Sequence, residues 1–489
     1  MIYDSSAVTD GTVVDATICI IGAGAAGLTL ATRLAGSGLS VLLAESGDME
    51  LDPATQALYQ TDDAGIPYLA GDACRLRMFG GSTNHWTGWT RPLDAADFSR
   101  RDWVTDSGWP FPADELMPYY RETESILDLG RHEYDAGYWE ALNPQLKLQP
   151  LGEIEPAVAR HSPPTRFRKK YRDRIASSAD IDALLNCNLV DLVTDRNGAS
   201  ITSAHFKTLG GRRFEVRAKT YVLATGGIEN ARILLACRRQ HEHGLGNQHD
   251  LVGRYFADHY GFNFGRMVVT HPAISVSSYR TQPVDIGLFG SNPVITPGLK
   301  LSEQKQKSAR LLSFATILTP WMGEHPVSRH YNVDPDHAEF DLHGSAEIIP
   351  CYQSRIRLSE QKDALGMPRA VVELRTTADQ NERVMAAAVA FAAEVGKAGI
   401  GRVKVPQDPE ELQRLPGHTD KFGSHHIGTT RMHKDPRFGV VDPNGRVHSV
   451  RNLYVAGSSV FPTSGYAQPT FTIVALALRL AAHLRETHQ

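Results

Sequence analysis

The feature that most constrains the fold is an apolar run near the start of the chain that ends in three spaced glycines. Residues 18–28 read ICIIGAGAAGL, which places Gly22, Gly24 and Gly27 directly after a β-branched stretch. A short apolar run bounded by glycine predicts a buried strand, and the residues after it suit a helix. A second apolar run, SVLLAE, follows at 40–45. Strand, helix and strand in so short a stretch predict a βαβ unit of a parallel sheet.

The spacing of these glycines predicts a dinucleotide site at the turn between strand and helix. Gly22 permits the tight turn, Gly24 lets the backbone approach a pyrophosphate, and Gly27 lets the helix pack closely on the strand. The helix N-terminus offers N–H donors to phosphate groups. Glu45 ends the second strand, where it can accept hydrogen bonds from an adenosine ribose. The alternative is a tight glycine turn without a ligand. The candidate contacts in these segments are Gly22, Gly24, Ala25, Ala26, Gly27, Glu45 and Ser46.

Two later segments favour FAD over NAD as the dinucleotide. KTYVLATGG at 219–227 and RNLYVAGSS at 451–459 are short apolar strands that end in small residues. Small residues let the backbone pass close to a long, extended cofactor. No second GxGxxG stands in mid-chain, so no separate nicotinamide domain is predicted. These segments add the candidate contacts Ala224, Gly226, Gly457 and Ser458.

Composition narrows the class of protein. A chain of 489 residues suits two or three cores, and 42% hydrophobic with 22% charged residues fits a soluble globular protein. The formal net charge of −4 argues against nucleic acid as a partner. The 5 cysteines are scattered without a CxxC pair, so a reducing cytoplasm is the expected location. The first residues are acidic and lack a basic segment followed by an apolar core, so a signal peptide is not expected. No apolar run approaches bilayer length without a charge or proline, so no membrane span is expected.

The middle of the chain separates the nucleotide-type elements. Residues 95–185 are expected to be mostly helical or irregular, and a β-meander is predicted between 188 and 225. Residues 262–320 and 340–376 alternate in the manner of strands. Residues 377–398 predict a helix that Thr377 could cap. The pattern therefore predicts two interleaved domains.

The sequence resembles the glucose–methanol–choline (GMC) oxidoreductase family. The resemblance is carried in the expected order by GAGAAG near the start, GGSTNHWTGW at 80–89, GWPFPADELMPYY at 108–120, ATGGIENARILL at 224–235, VGRYFADH at 252–259, HHIGTTRM at 425–432 and GSSVFPTSG with PTFTI near the end. HWT after the GGS turn and the GSSVFPTSG segment are most similar to the branch that holds pyranose oxidase and related sugar dehydrogenases.

The resemblance implies the fold class and the domain division. The fold class is α/β with an α+β insertion: a Rossmann-like, doubly wound FAD-binding domain interleaved with a substrate domain built on an antiparallel sheet. The predicted FAD-binding domain is discontinuous and comprises 1–95, 185–265 and 440–489. The predicted substrate-binding domain comprises 96–184 and 266–439.

Oxidation of an alcohol by a flavin requires a base for the hydroxyl proton, and histidine suits that role because its pKa lies near working pH. His425 matches the catalytic histidine that the resemblance implies, and the spacing to Gly428-Thr429 selects it over His426. A metal site at the two adjacent histidines is not expected, since neighbouring residues rarely chelate one ion. Packing or capping by His425 is the alternative.

The second catalytic position that the resemblance implies holds Gln468, where the family usually has asparagine or histidine. A glutamine amide can hydrogen-bond a substrate hydroxyl but cannot act as a base, so proton removal is assigned to His425. A purely structural Gln468 before Pro469 is the alternative. The further FAD contacts implied by the resemblance are Gly80, Gly81, Ser82, Asn84, His85, Val190, Gln468, Pro469 and Thr470.

His85 raises the question of a covalent bond. In pyranose oxidase the corresponding histidine is bonded to FAD, while related dehydrogenases hold FAD without a bond. Asn84 departs from the pyranose oxidase pattern, which favours non-covalent binding.

These features predict FAD-dependent oxidation of an alcohol group on a sugar or glycoside, with oxygen or a quinone-type carrier as electron acceptor. The alternatives are an FAD-containing hydroxynitrile lyase without net redox, and the catalytic subunit of a multi-subunit sugar dehydrogenase. An amino sugar from a natural product is a narrower hypothesis. It rests on acidic residues of the insertions, which also suit a solvated loop: Asp334, Asp336, Glu339 and Asp341.

Overall fold

The protein is described by a computed structural model, which covers residues 1–270, 276–284, 292–320, 339–409, 412 and 423–488. Within these ranges the strands are β1 Ile2–Asp4, β2 Val13–Ile21, β3 Val41–Ala44, β4 Thr61–Gly65, β5 Trp89–Thr90, β6 Ile154–His161, β7 Ile181–Leu185, β8 Asn188–Thr194, β9 Ile201–Lys207, β10 Arg213–Leu223, β11 Tyr260–Val269, β12 Gln282–Pro283, β13 Val294–Leu301, β14 Phe314–Pro320, β15 Glu339–Ala346, β16 Arg355–Lys362, β17 Pro368–Leu374, β18 Gly401–Lys404 and β19 Leu453–Val455.

The α-helices of the same ranges are α1 Ala25–Leu34, α2 Pro53–Gln56, α3 Gly71–Cys74, α4 Ala95–Phe98, α5 Ala113–Ile126, α6 Ala136–Leu142, α7 Phe167–Ala176, α8 Gly227–Ala236, α9 Glu303–Ser308, α10 Gln380–Lys397 and α11 Thr470–Thr487. Short 3₁₀ turns lie at Ser5–Ala7, Ala57–Tyr59, Gly81–Asn84, Val276–Tyr279 and Ser458–Val460. Across the described part of the chain, none of these helices combines the length and the apolar character needed to cross a lipid bilayer.

A mostly parallel sheet carries the glycine-rich turn. Its strands lie in the order β1-β7-β3-β2-β10-β9-β8, and β19 pairs in parallel with the end of β10. Strands β1, β7, β3, β2 and β10 run parallel to one another. β2 lies between β3 and β10, and its residues Ile18 and Ile20 are fully inaccessible to solvent. Burial on both faces explains why this strand reads as a continuous β-branched run. The βαβ prediction is confirmed.

The predicted β-meander is also confirmed. β9 pairs antiparallel with β8 on one side and with β10 on the other. Its contact with β10 involves only the start of that strand. Beyond that point β10 pairs with β19 instead, over Tyr221–Leu223. The long strand β10 therefore joins the meander to the parallel part of the sheet.

A second large sheet is antiparallel, with the order β18-β11-β15-β14-β13-β6-β5 and β12 beside β13. A small third sheet has the order β16-β17-β4, in which β17 pairs antiparallel with β16 and parallel with β4. Helix α11 packs against α1 and α5, so the last helix of the chain covers the first. A single hydrophobic cluster extends through both large sheets.

Residues 95–185 are mostly helical or irregular, as predicted, but they include the strands β6 and β7. The charged Arg160 is buried in β6, where it donates to Glu124 at 2.9 Å. One expectation for the middle of the chain was wrong. Thr377 does not cap the following helix. Helix α10 begins at Gln380, its N-cap is Asp379, and the buried Thr377 hydroxyl finds no hydrogen-bond partner among the described residues.

We propose that the parallel and antiparallel sheets are the cores of two interleaved domains. The strand bounds suggest three adjustments to the predicted division. β7 belongs to the parallel sheet but begins at Ile181, before the predicted boundary at 185. β5 pairs with β6 in the antiparallel sheet although it precedes residue 96. β11 continues across the boundary at 265.

Candidate functional site

A deep cleft of about 580 Å³ lies where several parallel strands end. Gly22 follows β2, Ser46 follows the end of β3, Gly226 follows β10, and Gly457 follows β19. Adjacent parallel strands end at the same edge of a sheet, which is the usual ligand-binding edge of an open α/β sheet. The structure thus brings together segments that are separated by most of the chain.

The three glycines of the turn are glycine for different structural reasons. Gly22 adopts a φ of +102°, and a Cβ there would lie 2.6 Å from the carbonyl oxygen of Ala224. A Cβ on Gly27 would lie 1.8 Å from the carbonyl oxygen of Gly22, so this glycine serves helix packing and does not line the cleft. Gly24 lines the cleft, and a Cβ there would meet nothing within 4 Å. Gly24 therefore leaves open space that a ligand can use.

Glu45 is buried at the cleft wall and closes the glycine turn. Its Oε2 accepts the backbone N–H of Ala23 at 2.7 Å, and its Oε1 accepts the N–H of Gly47 at 2.8 Å. A carboxylate oxygen can accept more than one hydrogen bond. Glu45 thus retains capacity for a ribose hydroxyl while it holds the turn in place.

An arginine cluster at the cleft was not singled out from the sequence. Arg75, Arg77 and Arg232 lie 3.3, 3.6 and 2.9 Å from the carboxylate of Glu229, and all four residues line the cleft. Burial raises the pKa of Glu229, but the three guanidinium groups outweigh it and hold the pKa at about 2. With Glu45, the described lining carries three positive and two negative charges. An excess of positive charge suits a dianionic diphosphate.

Asn230 and Ser458 fasten the distal segments to this edge. The amide of Asn230 donates to the carbonyl oxygen of Ala456 at 3.1 Å and to the hydroxyl of Ser459 at 2.9 Å. Ser458 Oγ donates to the carbonyl oxygen of His426 at 2.6 Å. These bonds hold the two-histidine segment against the end of β19.

The two adjacent histidines face different surroundings. His426 is buried, with its Nε2 3.6 Å from the thiol sulfur of Cys74. His425 has its Nδ1 3.0 Å from Nδ1 of His259, and its backbone N–H donates to Asp258 at 2.8 Å. Burial lowers the pKa of His425 to about 4. His425 is therefore neutral near pH 7 and can accept a proton.

A second cavity of about 430 Å³ adjoins the cleft. It lies against the antiparallel sheet, with lining residues from β6, β13, β14 and β15. The residues that line both spaces are Thr87, Trp89, Gly423, His425 and Gln468. His425 and Gln468, the two residues predicted to be catalytic, thus stand where the cleft meets the second cavity. The amide of Gln468 makes no hydrogen bond to a described residue.

Most predicted cofactor contacts line the cleft. These are Gly22, Gly24, Ala25, Ala26, Glu45, Ser46, Gly81, Ser82, His85, Ala224, Gly226, Gly457, Ser458, Gln468, Pro469 and Thr470. Burial and the charge of Arg166 lower the pKa of His85, which is therefore neutral.

Gly27, Gly80, Asn84 and Val190 do not line the cleft. The amide of Asn84 donates to the carbonyl oxygens of Phe79 and Gly81 at 2.9 and 3.0 Å, and so holds its own loop. Val190 does not line the cleft although its neighbour Leu189 does, and the pairing of β8 with β9 shifts register between Leu189 and Asp191.

Of the acidic residues of the amino-sugar hypothesis, the two that the structure describes do not line the second cavity. Glu339 and Asp341 are buried in β15, and Asp341 lies 3.5 Å from the guanidinium of Arg266. Asp334 and Asp336 fall outside the described residues.

The cleft fits an extended dinucleotide. Gly24, Gly226 and Gly457 each present open space where a Cβ would stand, and the lining carries positive charge. The adenosine end would lie by Glu45, and the ring system would lie where the cleft meets the second cavity. The residues present therefore fit FAD.

Comparison with known proteins agrees with this arrangement. Residues 350–477 match the family model "GMC oxidoreductase". The chain is 26% identical to 6'''-hydroxyparomomycin C oxidase of Streptomyces lividus, over 96% of this chain and 91% of the relative. It is also 26% identical to the fructose dehydrogenase large subunit of Gluconobacter japonicus, over 95% and 97% respectively. The pyridoxine 4-oxidase structure from Mesorbium loti shares the fold, with 20% identity, a TM-score of 0.59 and coverage of 97% of this chain and 100% of that one. These matches show that residues 350–477 carry a GMC oxidoreductase domain, and that the chain is similar along most of its length to enzymes named as oxidases and dehydrogenases.

Proposed function

We propose that this protein oxidises a hydroxyl group of a neutral sugar or glycoside to a carbonyl. The observation that carries the proposal is the position of His425 and Gln468, which line both the FAD cleft and the second cavity. A substrate in the second cavity would present its carbinol group at that junction. FAD, when bound, supplies the hydride acceptor for the carbon that carries the hydroxyl.

The proton of the hydroxyl group passes to His425. Its neutral imidazole is the group at the junction that can accept a proton, since a glutamine amide cannot. Gln468 can donate from its amide N–H₂ to the substrate oxygen, or accept from it before the proton leaves. His425 thus supplies the base and Gln468 orients the oxygen.

The second cavity favours a neutral substrate over a cationic one. Among the described residues that line this cavity, Arg91 has the only charged side chain apart from the histidines. The guanidinium of Arg91 is paired with Asp94 at 3.1 Å, and Lys300 contacts the other carboxylate oxygen at 2.6 Å. Burial raises the pKa of Asp94, but Arg91 and Lys300 outweigh it and hold the pKa at about 2. The described lining therefore offers no carboxylate to an ammonium group.

The relatives support a sugar or glycoside as the substrate class. One is named for oxidation of an aminoglycoside and another for dehydrogenation of fructose. The cavity volume of about 430 Å³ lies in the range of roughly 300–1,000 Å³ that is typical of small-molecule sites. Oxygen or a quinone-type carrier would take the electrons.

FAD is held without a covalent bond in this proposal. The support is Asn84, which departs from the pattern of the branch in which the adjacent histidine is bonded to FAD. Denaturation of the holoenzyme is expected to release the flavin into the supernatant. Yellow colour that stays with the precipitated polypeptide would contradict this part of the proposal.

Anaerobic mixing of the FAD-loaded protein with matched substrates tests the function. The panel pairs neutral sugars and glycosides with their aminated counterparts and includes simple alcohols, and bleaching of the flavin absorbance is recorded. We expect bleaching by neutral glycosides, faster than by the aminated partners. The control is His425→Gln, which should keep the oxidised flavin spectrum but lose bleaching. Cleavage of a cyanohydrin without bleaching would instead support a lyase.

A further inference from the structure

His259 contacts His425 and lines the second cavity, but the proposed function gives it no role. Its Nδ1 lies 3.0 Å from Nδ1 of His425, and the two rings are nearly perpendicular at 76°. Its Nε2 lies 3.2 Å from the carbonyl oxygen of Ser464 and 3.0 Å from that of Gly465. The imidazole of His259 therefore bridges the loop 464–465 and His425.

The partners of His259 determine where its proton lies. A carbonyl oxygen only accepts hydrogen bonds, so Nε2 of His259 must carry the hydrogen that both carbonyls face. Burial, and the repulsion that a protonated His425 would exert, lower the pKa of His259 to about 4, so the ring is neutral near pH 7. A neutral imidazole carries one hydrogen. Nδ1 of His259 therefore holds a lone pair.

The same reasoning then applies to His425. Two lone pairs at 3.0 Å would repel each other, so Nδ1 of His425 must be the donor of this contact. His425 is neutral as well, and its Nε2 makes no hydrogen bond to any residue that the structure describes. Nε2 of His425 is thereby left with a lone pair beside the junction of the two cavities.

We propose that His259 is a positioning residue that fixes His425 in the tautomer with hydrogen on Nδ1 and a lone pair on Nε2. The inference rests on the proposed function only in giving that lone pair a substrate proton to accept. When the O–H bond of the substrate breaks, the proton forms an N–H bond at Nε2. His425 becomes an imidazolium whose Nδ1–H bond to His259 is strengthened by charge.

Other contacts hold this pair in register. Asp258 Oδ1 accepts the backbone N–H of His259 at 2.6 Å and that of His425 at 2.8 Å. Its other oxygen accepts the hydroxyl of Tyr68. Ser424, directly before His425, has a φ of +57°, a left-handed conformation that is uncommon for serine. The titratable groups around the pair are thus Asp258, Tyr68 and His426, with Gln468 at the open side.

Nitrogen NMR of the histidine side chains tests the tautomer directly. The FAD-loaded protein is labelled with ¹⁵N-histidine, and the resonances of His425 are assigned by their loss in His425→Gln. We expect a pyrrole-type shift for Nδ1 and a pyridine-type shift for Nε2. A pyrrole-type Nε2 in the wild-type protein would overturn the proposal. This readout does not depend on finding a substrate.

Variants of His259 provide the kinetic test. His259→Leu removes the acceptor, and we expect kcat to fall about 10- to 100-fold with a smaller change in KM. His259→Asn places Oδ1 near the position of the lost Nδ1, where it can accept from His425, so it should recover at least several-fold of that loss. Flavin content and thermal unfolding are measured for both variants. Equal kcat in the wild-type and Leu variant, or no recovery by Asn, would overturn the positioning role.

The two proposals fail in distinguishable ways. If no alcohol bleaches the flavin, the proposed function fails, yet the ¹⁵N shifts of His425 still report its tautomer. If alcohols bleach the flavin but the shifts show hydrogen on Nε2, the function stands and the positioning role of His259 fails.

Discussion

The carboxylate of Asp258 accepts the backbone N–H of His425 at 2.8 Å and so joins two segments 167 residues apart. The same oxygen accepts the N–H of His259 at 2.6 Å. One buried carboxylate thereby fixes the backbone on both sides of the histidine pair. A small change at this carboxylate is expected to affect both stability and the geometry of the reaction centre.

Asp258→Ala should lower the free energy of unfolding by about 2–4 kcal/mol, because it leaves two buried N–H donors without an acceptor. Asp258→Asn keeps the acceptor oxygen, so its free energy of unfolding should fall by less than that of the Ala variant. Tyr68→Phe, which removes one donor to the same carboxylate, is the milder control, with an expected loss of about 1 kcal/mol. Denaturant unfolding of the three holoenzyme variants measures the order. An equal fall in the free energy of unfolding for Asp258→Ala and Asp258→Asn would contradict the role of Asp258 as a hydrogen-bond acceptor.

The pKa of His425 predicts the pH profile of flavin reduction. Burial lowers this pKa to about 4, and the base acts only when neutral. Activity is therefore lost as pH falls through the pKa, so the rate of anaerobic bleaching should stay level from about pH 8 down to about pH 5. An ordinary histidine would already be half inactive near pH 6.5. A half-loss between about pH 6 and 7 would contradict a base whose pKa is held well below that of an ordinary histidine.

Two glycines of the turn allow a matched test of the cofactor site. Gly24 has a φ of −84° and open space at its Cβ position, so Gly24→Ala should fold but place a methyl group in the FAD cleft. We expect weaker FAD binding, by about 1–3 kcal/mol, with little change in the apoprotein. Gly27→Ala would bring a Cβ within 1.8 Å of the carbonyl oxygen of Gly22 and should destabilise the apoprotein itself.

Reconstitution with FAD, followed by flavin fluorescence and circular dichroism of the apoproteins, separates the two effects. Wild-type affinity for FAD in Gly24→Ala would show that the dinucleotide does not pass over this turn.

The parts of the site that follow from local sequence could be predicted, and those that depend on distant contacts could not. The glycine turn and Glu45 were predictable because strand, turn and helix are neighbours in sequence. The partnership of His259 with His425 was missed because it links residues 166 positions apart through side-chain nitrogens. Arg160 explains the missed strand β6: a charged side chain argues against a buried strand until Glu124 is seen beside it.

The arginines of the cleft illustrate the same limit. Arg75 and Arg77 follow the end of α3, and their common partner Glu229 lies in α8. Nothing in the spacing of these residues indicates that they meet. Val190 shows a different limit, because β8 shifts register against β9 between Leu189 and Asp191, and the sequence does not reveal such an irregularity. Sequence reasoning identified the segment there and missed the side chain.

Gln468 should control substrate orientation and leave flavin binding largely unchanged. Gln468→Ala removes the amide and should lower kcat/KM about 10- to 100-fold, through loss of one hydrogen bond in the transition state. Gln468→Asn restores an amide that is shorter by one methylene group and should change the order of preference among substrates. The measurement is kcat/KM for several glycosides, with the flavin spectrum as control. An unchanged kcat/KM in the Ala variant would indicate a structural glutamine.

Asp97 predicts a pH dependence of stability that is separate from catalysis. Burial, followed by the negative charges of Asp94 and Glu347, raises the pKa of Asp97 to about 7. Because the folded state binds this proton more tightly than the unfolded state, its contribution to stability is complete below about pH 4 and is lost as pH rises to about 7. At 1.36 kcal/mol per pKa unit, this loss is up to roughly 4 kcal/mol.

Asp97→Asn provides the test because an amide stays neutral and can keep the hydrogen bond that Asp97 Oδ2 accepts from the Asp94 N–H at 3.0 Å. The variant and the wild type should be similarly stable near pH 4, and the variant should become the more stable of the two towards pH 7 or 8, by up to about 4 kcal/mol. The exposed Asp114→Asn on α5 is the control and should follow the wild type. Urea unfolding at several pH values measures the difference. A constant difference across this range would show that Asp97 is already ionised in the folded protein near pH 4.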